Sequence, residues 1–225
     1  GWYVPRVPSV VGSVLIMPAA FYGGAQLQWL VALAIVAALI VWRTVHLLWE
    51  RREKPIQAIQ HTLRDYAAAA FVVIYLPLMT SFTMLLLRRP DGASWVIAFV
   101  VTVALIDTAG YLVGRKFGKH KLAPGVSPKK TWEGLLASIT AGSVSAVLFS
   151  IFTLGLPWWL GVVFAAALLL AAVFGDLAES HIKRDLGVKD MSSILPGHGG
   201  VMDRLDSILP SALITYLFMQ LVTAL

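Results

Sequence analysis

Seven stretches of this chain are strongly apolar, most of them long enough to cross about 30 Å of hydrocarbon as a helix, and that property removes most other architectures. They lie near residues 9–22, 27–48, 66–87, 94–113, 134–154, 158–175 and 207–225. In lipid a backbone must satisfy its own hydrogen bonds, which leaves helices or a closed barrel. The short alternation of apolar and polar residues that a barrel strand needs is absent. With 58% hydrophobic and only 13% charged residues over 225 positions, the chain is also too apolar for a soluble domain of its length. The expectation is an all-α, polytopic integral membrane protein of about seven transmembrane helices, with polar loops on one side carrying the chemistry. The first segment is short and contains Pro18, so a re-entrant piece is an alternative to a full span there.

Residues 1–93 read as N-terminal membrane helices and 94–225 as the chemistry-bearing part of a single membrane unit. Between the second and third segments, residues 50–65 alternate in charge, the pattern of an interfacial helix or elbow. The chain has no cysteine, which excludes disulfides and thiolate metal sites. Its net charge of +6 could suggest nucleic acid, but the basic residues gather in short loops between apolar runs, which fits membrane topology and anionic ligands instead. No internal repeat is visible. Gly1 stands where an initiator Met is expected, pointing to a truncated or processed N-terminus, and the first apolar run lacks the flanks of a cleavable signal peptide.

Against this apolar background, residues 176–206 hold six of the twelve carboxylates: Asp176, Glu179, Asp185, Asp190, Asp203 and Asp206. Charge of that density beside membrane helices is costly unless it binds something. If the helix ending near Gly175 continues, Asp176, Glu179 and Lys183 share one face. Hard oxygen ligands at that spacing suit Mg²⁺, which takes one or two carboxylates and completes its shell with water and substrate phosphates. Lys183 offers a point charge and Arg184 a planar fork for phosphate oxygens. A surface helix of ion pairs is the plainer alternative. Further on, Pro196-Gly197-His198-Gly199-Gly200 reads as a turn whose glycines let backbone amides approach a ligand.

Two upstream features add to this. Asp107 lies inside an apolar run, where a lone carboxylate costs about 2.5–3.5 kcal/mol on insertion scales. It marks either a helix–helix hydrogen bond or a site. The loop Ser127-Pro128-Lys129-Lys130-Thr131 stands directly before a helix, combining hydroxyls, ammonium groups and a helix N-terminus in a manner suited to a polyphosphate. A basic loop that only orients the helices is the alternative there.

The run SHIKRDLGVKDMSSILPGHGGVMDRLD, Ser180 to Asp206, resembles the signature of the phosphatidate cytidylyltransferases, also called CDP-diacylglycerol synthases. The resemblance extends upstream through Phe117–Trp132 and the Asp107 helix, covering roughly residues 95–210. It implies the reaction of CTP with phosphatidic acid to give CDP-diacylglycerol and pyrophosphate, a Mg²⁺-dependent nucleotidyl transfer of phospholipid biosynthesis. On that resemblance Asp176, Asp203 and Glu179 are the expected metal ligands. Lys183, Arg184 and His198 join Asp176 and Asp203 as catalytic candidates. Ser127, Lys130, Thr131, Lys189, Asp190, Gly199, Gly200, Arg204 and Asp107 are expected at the substrates. One or two divalent ions are implied, with room for a monovalent cation such as K⁺, and a homodimer is compatible with the family. Membrane lipids, but not nucleic acid, are the expected partners.

Counting Lys and Arg over alternating loops places fourteen on one side and only Arg88 and Arg89 on the other. By the positive-inside rule the fourteen face the cytoplasm, and the site with them; the resemblance implies that the membrane is a bacterial inner membrane. The nearest rival enzymes are a CTP-dependent lipid kinase and a cytidylyltransferase for another lipid phosphate. A transporter of anionic lipid would need polar residues spread along a path to the far side, which is nearly bare.

Overall fold

The computed structural model describes residues 6–50, 62–123, 127–187 and 205–224. The chain forms two compact units, Gly1–Arg89 and Pro90–Leu225. In the first, helix α1 (Arg6–Glu50) is interrupted at Gly24, whose φ of 71° and ψ of −167° no helix contains. A left-handed φ of this kind is open to glycine and costly for other residues. The chain doubles back there: a Cβ added to Gly12 would stand 2.5 Å from Ile35 Cγ2, a contact that requires the two arms to lie side by side. Pro18 sits within the first arm. Helix α2 (Thr62–Val73) passes through a π-helical turn, Ile74–Leu78, at Pro77 and continues as α3 (Met79–Leu87). Proline lacks the N–H that an α-helical register needs, and a widened turn accommodates it. The buried Gln28 Nε2 donates to Ser81 Oγ at 2.5 Å, tying the second arm of α1 to α3.

The second unit holds four helices: α4 (Gly92–Phe117), α5 (Trp132–Phe152), α6 (Trp158–Leu186) and α7 (Ile208–Ala224). Small residues let α4 and α5 approach closely. A Cβ on Gly134 would meet Gly110 O at 2.8 Å, and one on Gly110 would meet Ser138 Oγ at 2.3 Å. Hydroxyls bind the same seam, with Ser138 Oγ donating to Ile106 O at 2.7 Å and Thr102 bonded to Ser145 at 2.9 Å. In lipid, where hydrocarbon outside matches hydrocarbon inside, close backbone approach and interhelical hydrogen bonds supply the association.

At one end of this unit Trp95, Phe164 and Phe218 form an aromatic cluster, with centroids 5.9, 6.3 and 4.9 Å apart, that joins α4, α6 and α7. A short hairpin lies at the other end. Strand β1 (Lys121–Ala123) pairs antiparallel with β2 (Ser127–Thr131), Lys121 opposite Thr131 and Ala123 opposite Ser127.

Among the described residues, five helices are long and apolar enough to cross a membrane: Ser9–Trp49, Tyr66–Leu87, Gly92–Phe117, Trp132–Phe152 and Trp158–Arg184, with the shorter Ile208–Ala224 as a sixth. The architecture is all-α and polytopic, as expected. The expected seven segments correspond to these six helices because the first two are the arms of α1. Counted by length and composition, with α1 taken as one helix, there are five long apolar helices and a shorter one, so the count of seven crossings is not confirmed. Ser127–Thr131, expected as loop, is a strand, since two residues of a tight ribbon satisfy each other's backbone groups. The connector at 51–61 lies outside the described residues.

Candidate functional site

The site is built where α4 and α6 end and α5 and α7 begin. Twelve residues separate the aromatic cluster from a carboxylate on each of three elements: Trp95 to Asp107, Phe164 to Asp176 and Phe218 to Asp206. At 1.5 Å per helical residue this is about 18 Å, so the three acids stand at one level. Helix α6 runs on past Gly175 to Leu186, where Gly187 closes it in a left-handed cap with φ 67°. The expected end near 175 is therefore a passage into the polar face and not a terminus. Gly175 matters for a different reason. A Cβ there would stand 2.1 Å from Asp206 O and 2.9 Å from Pro210 Cγ, so only glycine lets the chain entering α7 bring Asp206 against Asp176.

Lys130, at the end of β2, donates from Nζ to Asp176 Oδ2. Both side chains are 36% exposed. Asp107 opens toward the same place: its carboxylate is hydrogen-bonded by the Ser207 side chain and lies in electrostatic range of Asp206, Asp176 and Lys130. Asp206 receives the Ser207 backbone N–H on Oδ1 at 2.7 Å and makes a side-chain hydrogen bond with Glu179. Its carboxyl is held above the ordinary carboxylate range, first by burial and then by the charge of Asp176, against the pull of the Ser207 hydrogen bonds.

Glu179 faces inward. It is 1% exposed and pairs through Oε2 with Lys183 Nζ at 2.7 Å. The helical spacing expected of Asp176, Glu179 and Lys183 is present, but Asp176 points to Lys130 while Glu179 holds Lys183 and Asp206. Arg184 is exposed on the last turn of the same helix. Thr131, expected at substrate, is buried and caps α5, its hydroxyl accepting from Gly134 N at 3.2 Å. Beside it His120 Nδ1 and Glu133 Oε1 lie 2.7 Å apart, and Trp132 N donates to His120 O at 3.0 Å, which seats the hairpin on the start of α5. Ser127 opens β2. Lys189, Asp190, His198, Gly199, Gly200, Asp203 and Arg204 lie outside the described residues.

Among the described residues no three His, Asp or Glu side chains form a cage that would hold a metal by themselves. The donor set is nonetheless suited to a hard cation that keeps other ligands. It is all carboxylate oxygen, and an ammonium already sits on Asp176 within range of Asp107. Asp206 joins the site without being among the residues expected from the sequence as metal ligands or substrate contacts. Its position one residue before Ser207 and the apolar start of α7 was the available signal.

These features define a polytopic helical membrane protein with a carboxylate-and-lysine site at one end of its four-helix unit. The chain belongs to the cytidylyltransferase family, whose sequence profile it matches over residues 3–222. It is 40% identical over 193 residues to a phosphatidate cytidylyltransferase of Mycobacterium leprae, covering 84% of this chain and 62% of that protein. It is 42% identical over 159 residues to one of Mycobacterium bovis, covering 71% and 52%, and 39% identical over 127 residues to one of Staphylococcus saprophyticus, covering 56% and 49%. The chain thus spans about half to three fifths of the length of these relatives.

Proposed function

We propose that this chain carries the nucleotidyl-transfer site of a phosphatidate cytidylyltransferase, joining CTP and phosphatidic acid into CDP-diacylglycerol with release of pyrophosphate. The observation that carries this reading is the convergence of Asp107, Asp176 and Asp206 with Lys130 at one end of the four-helix unit. The names of the relatives and the family membership agree with it. Fourteen cationic residues on that side favour a site facing the cytoplasm, where CTP is found, in a bacterial inner membrane.

A divalent cation such as Mg²⁺, held by Asp176 and Asp203, would supply charge neutralisation across the nucleotide phosphates. The lipid phosphate is already an anion, so the protein needs no strong base to activate it. Its work is alignment and screening of two polyanions. Lys183 is fixed by Glu179 near the mouth of the site, Arg184 extends from the last turn of α6, and Lys130 enters from the hairpin. Lys189, Asp190, Arg204, His198 and the Gly199-Gly200 amides are assigned to the substrates on sequence grounds, with Ser127. A monovalent cation and a homodimer belong to the same reading.

Incubating purified protein with labelled CTP and phosphatidic acid, with and without Mg²⁺, tests it. CDP-lipid and pyrophosphate are expected with Mg²⁺ and lost in Asp176→Asn. Release of CDP would indicate a lipid kinase, and the absence of any product from folded wild type would overturn the reading.

A further inference from the structure

Three carboxylates drawn from α4, α6 and the approach to α7 repel one another unless something positive stands among them. In this structure Lys130 does so. Its Nζ is bonded to Asp176 Oδ2, and the same charge acts on Asp107. The lysine is not a loosely tethered surface residue. Its neighbour Thr131 is buried, caps α5 and lies against Gly114 and Gly118, where added Cβ atoms would stand 3.0 and 2.6 Å from it. The ammonium is therefore delivered to the acids by a fixed backbone and only the side chain is able to move.

We propose that Lys130 is a resident counter-ion that occupies the cation's place on Asp176 and is displaced when a divalent cation enters. This rests on the reading that the site takes such a cation. The ammonium holds Asp176 Oδ2, and a divalent ion on either oxygen of the same carboxylate would stand within a few ångströms of it, so repulsion between the two positive charges favours breaking the ion pair when the cation binds. The released Nζ then lies beside the incoming cation, where an anionic phosphate would relieve the repulsion. Cation and phosphate consequently favour each other's binding, a coupling that is reciprocal by thermodynamic necessity. The chain binds the cation weakly alone and firmly once phosphate is present.

The experiment measures Mn²⁺ uptake by the purified full chain in detergent, without nucleotide or lipid, from the electron paramagnetic resonance of free Mn²⁺. Lys130→Met is expected to bind Mn²⁺ about tenfold more tightly than wild type or more, because removing a unit charge a few ångströms from a divalent ion exceeds the energy of a tenfold change even at high effective dielectric. Lys130→Arg, which keeps the charge, is expected to remain near wild type. Unchanged or weaker binding by folded Lys130→Met overturns the inference while leaving the metal reading intact. No Mn²⁺ uptake by either wild type or folded Lys130→Met overturns both. A second measurement needs no variant: Mg²⁺ should raise the labelling of Lys130 by an amine-reactive reagent several-fold, read by mass spectrometry. Unchanged or diminished labelling also overturns the inference.

Discussion

Gly175→Ala adds one carbon at the point where α6 meets the chain entering α7, and the structure sets the size of the disturbance. The new Cβ would stand 2.1 Å from Asp206 O, 2.9 Å from Pro210 Cγ and 3.0 Å from Asp206 C. An ordinary carbon–oxygen contact is about 3.4 Å, so one of the two backbones must retreat by more than 1 Å. The groups met first are backbone and a proline ring, which cannot swing aside as a long side chain would. Overpacking of this kind costs about 1–3 kcal/mol. The larger effect should fall on activity, since Asp206 leaves its place beside Asp176 and a displacement of about 1 Å in a catalytic constellation can cost 10²-fold. On the proposed function, CDP-lipid formation should fall about 100-fold with only a modest drop in melting temperature. Leu170→Ala, on the exposed face of the same helix, should leave the rate near wild type. A rate for Gly175→Ala within threefold of wild type would refute the claim that this contact positions Asp206.

Asp206 carries a pH prediction. Its folded carboxyl is raised above the 3.8 of an ordinary Asp, so the cation-free protein keeps a proton that the unfolded chain has lost. Stability should therefore decline as pH rises from about 4 through the raised folded value, and Asp206→Asn should flatten that slope in melting curves recorded in EDTA. Glu179→Gln leaves Lys183 facing a neutral amide in a site where the carboxylate was 2% exposed. Breaking a buried pair from one side costs about 3 kcal/mol, to be read by thermal unfolding.

The helices were readable because lipid leaves one solution per apolar run, and the runs at 134–154 and 158–175 are recovered with small shifts in α5 and the first part of α6. The fold-back at Gly24 was less visible. A glycine in Gly23-Gly24 signals a break, but the sequence does not say whether two arms or one rod follows. At the site, residue type was legible and partnership was not. Helical spacing placed Asp176, Glu179 and Lys183 on one face, yet it could not tell that Lys130, 46 positions earlier, would take Asp176 and leave Lys183 to Glu179. Such pairings depend on how four helices and a hairpin meet, and periodicity along one element carries no distance between elements. Thr131 shows the same limit, since a hydroxyl ahead of a helix serves equally as a cap or as a ligand contact.

The equal spacing of twelve residues on three elements gives the site a simple mechanical basis. Helices α4 and α6 run toward the acidic end and α7 runs away from it, so a cluster that pins Trp95, Phe164 and Phe218 together aligns all three carboxylates in height at once. Lateral distance is then set separately, by Gly110 and Gly134 between α4 and α5 and by Gly175 between α6 and α7. Height and separation are thus controlled by different residues at different depths. Charge repulsion among Asp107, Asp176 and Asp206 pushes on the rim of the bundle. The aromatic cluster lies about 18 Å away and holds the other end closed by packing that does not depend on charge or on a bound ion. A frame of this kind keeps its acids in register when the counter-ion is exchanged, which a site reliant on its cation for cohesion could not do.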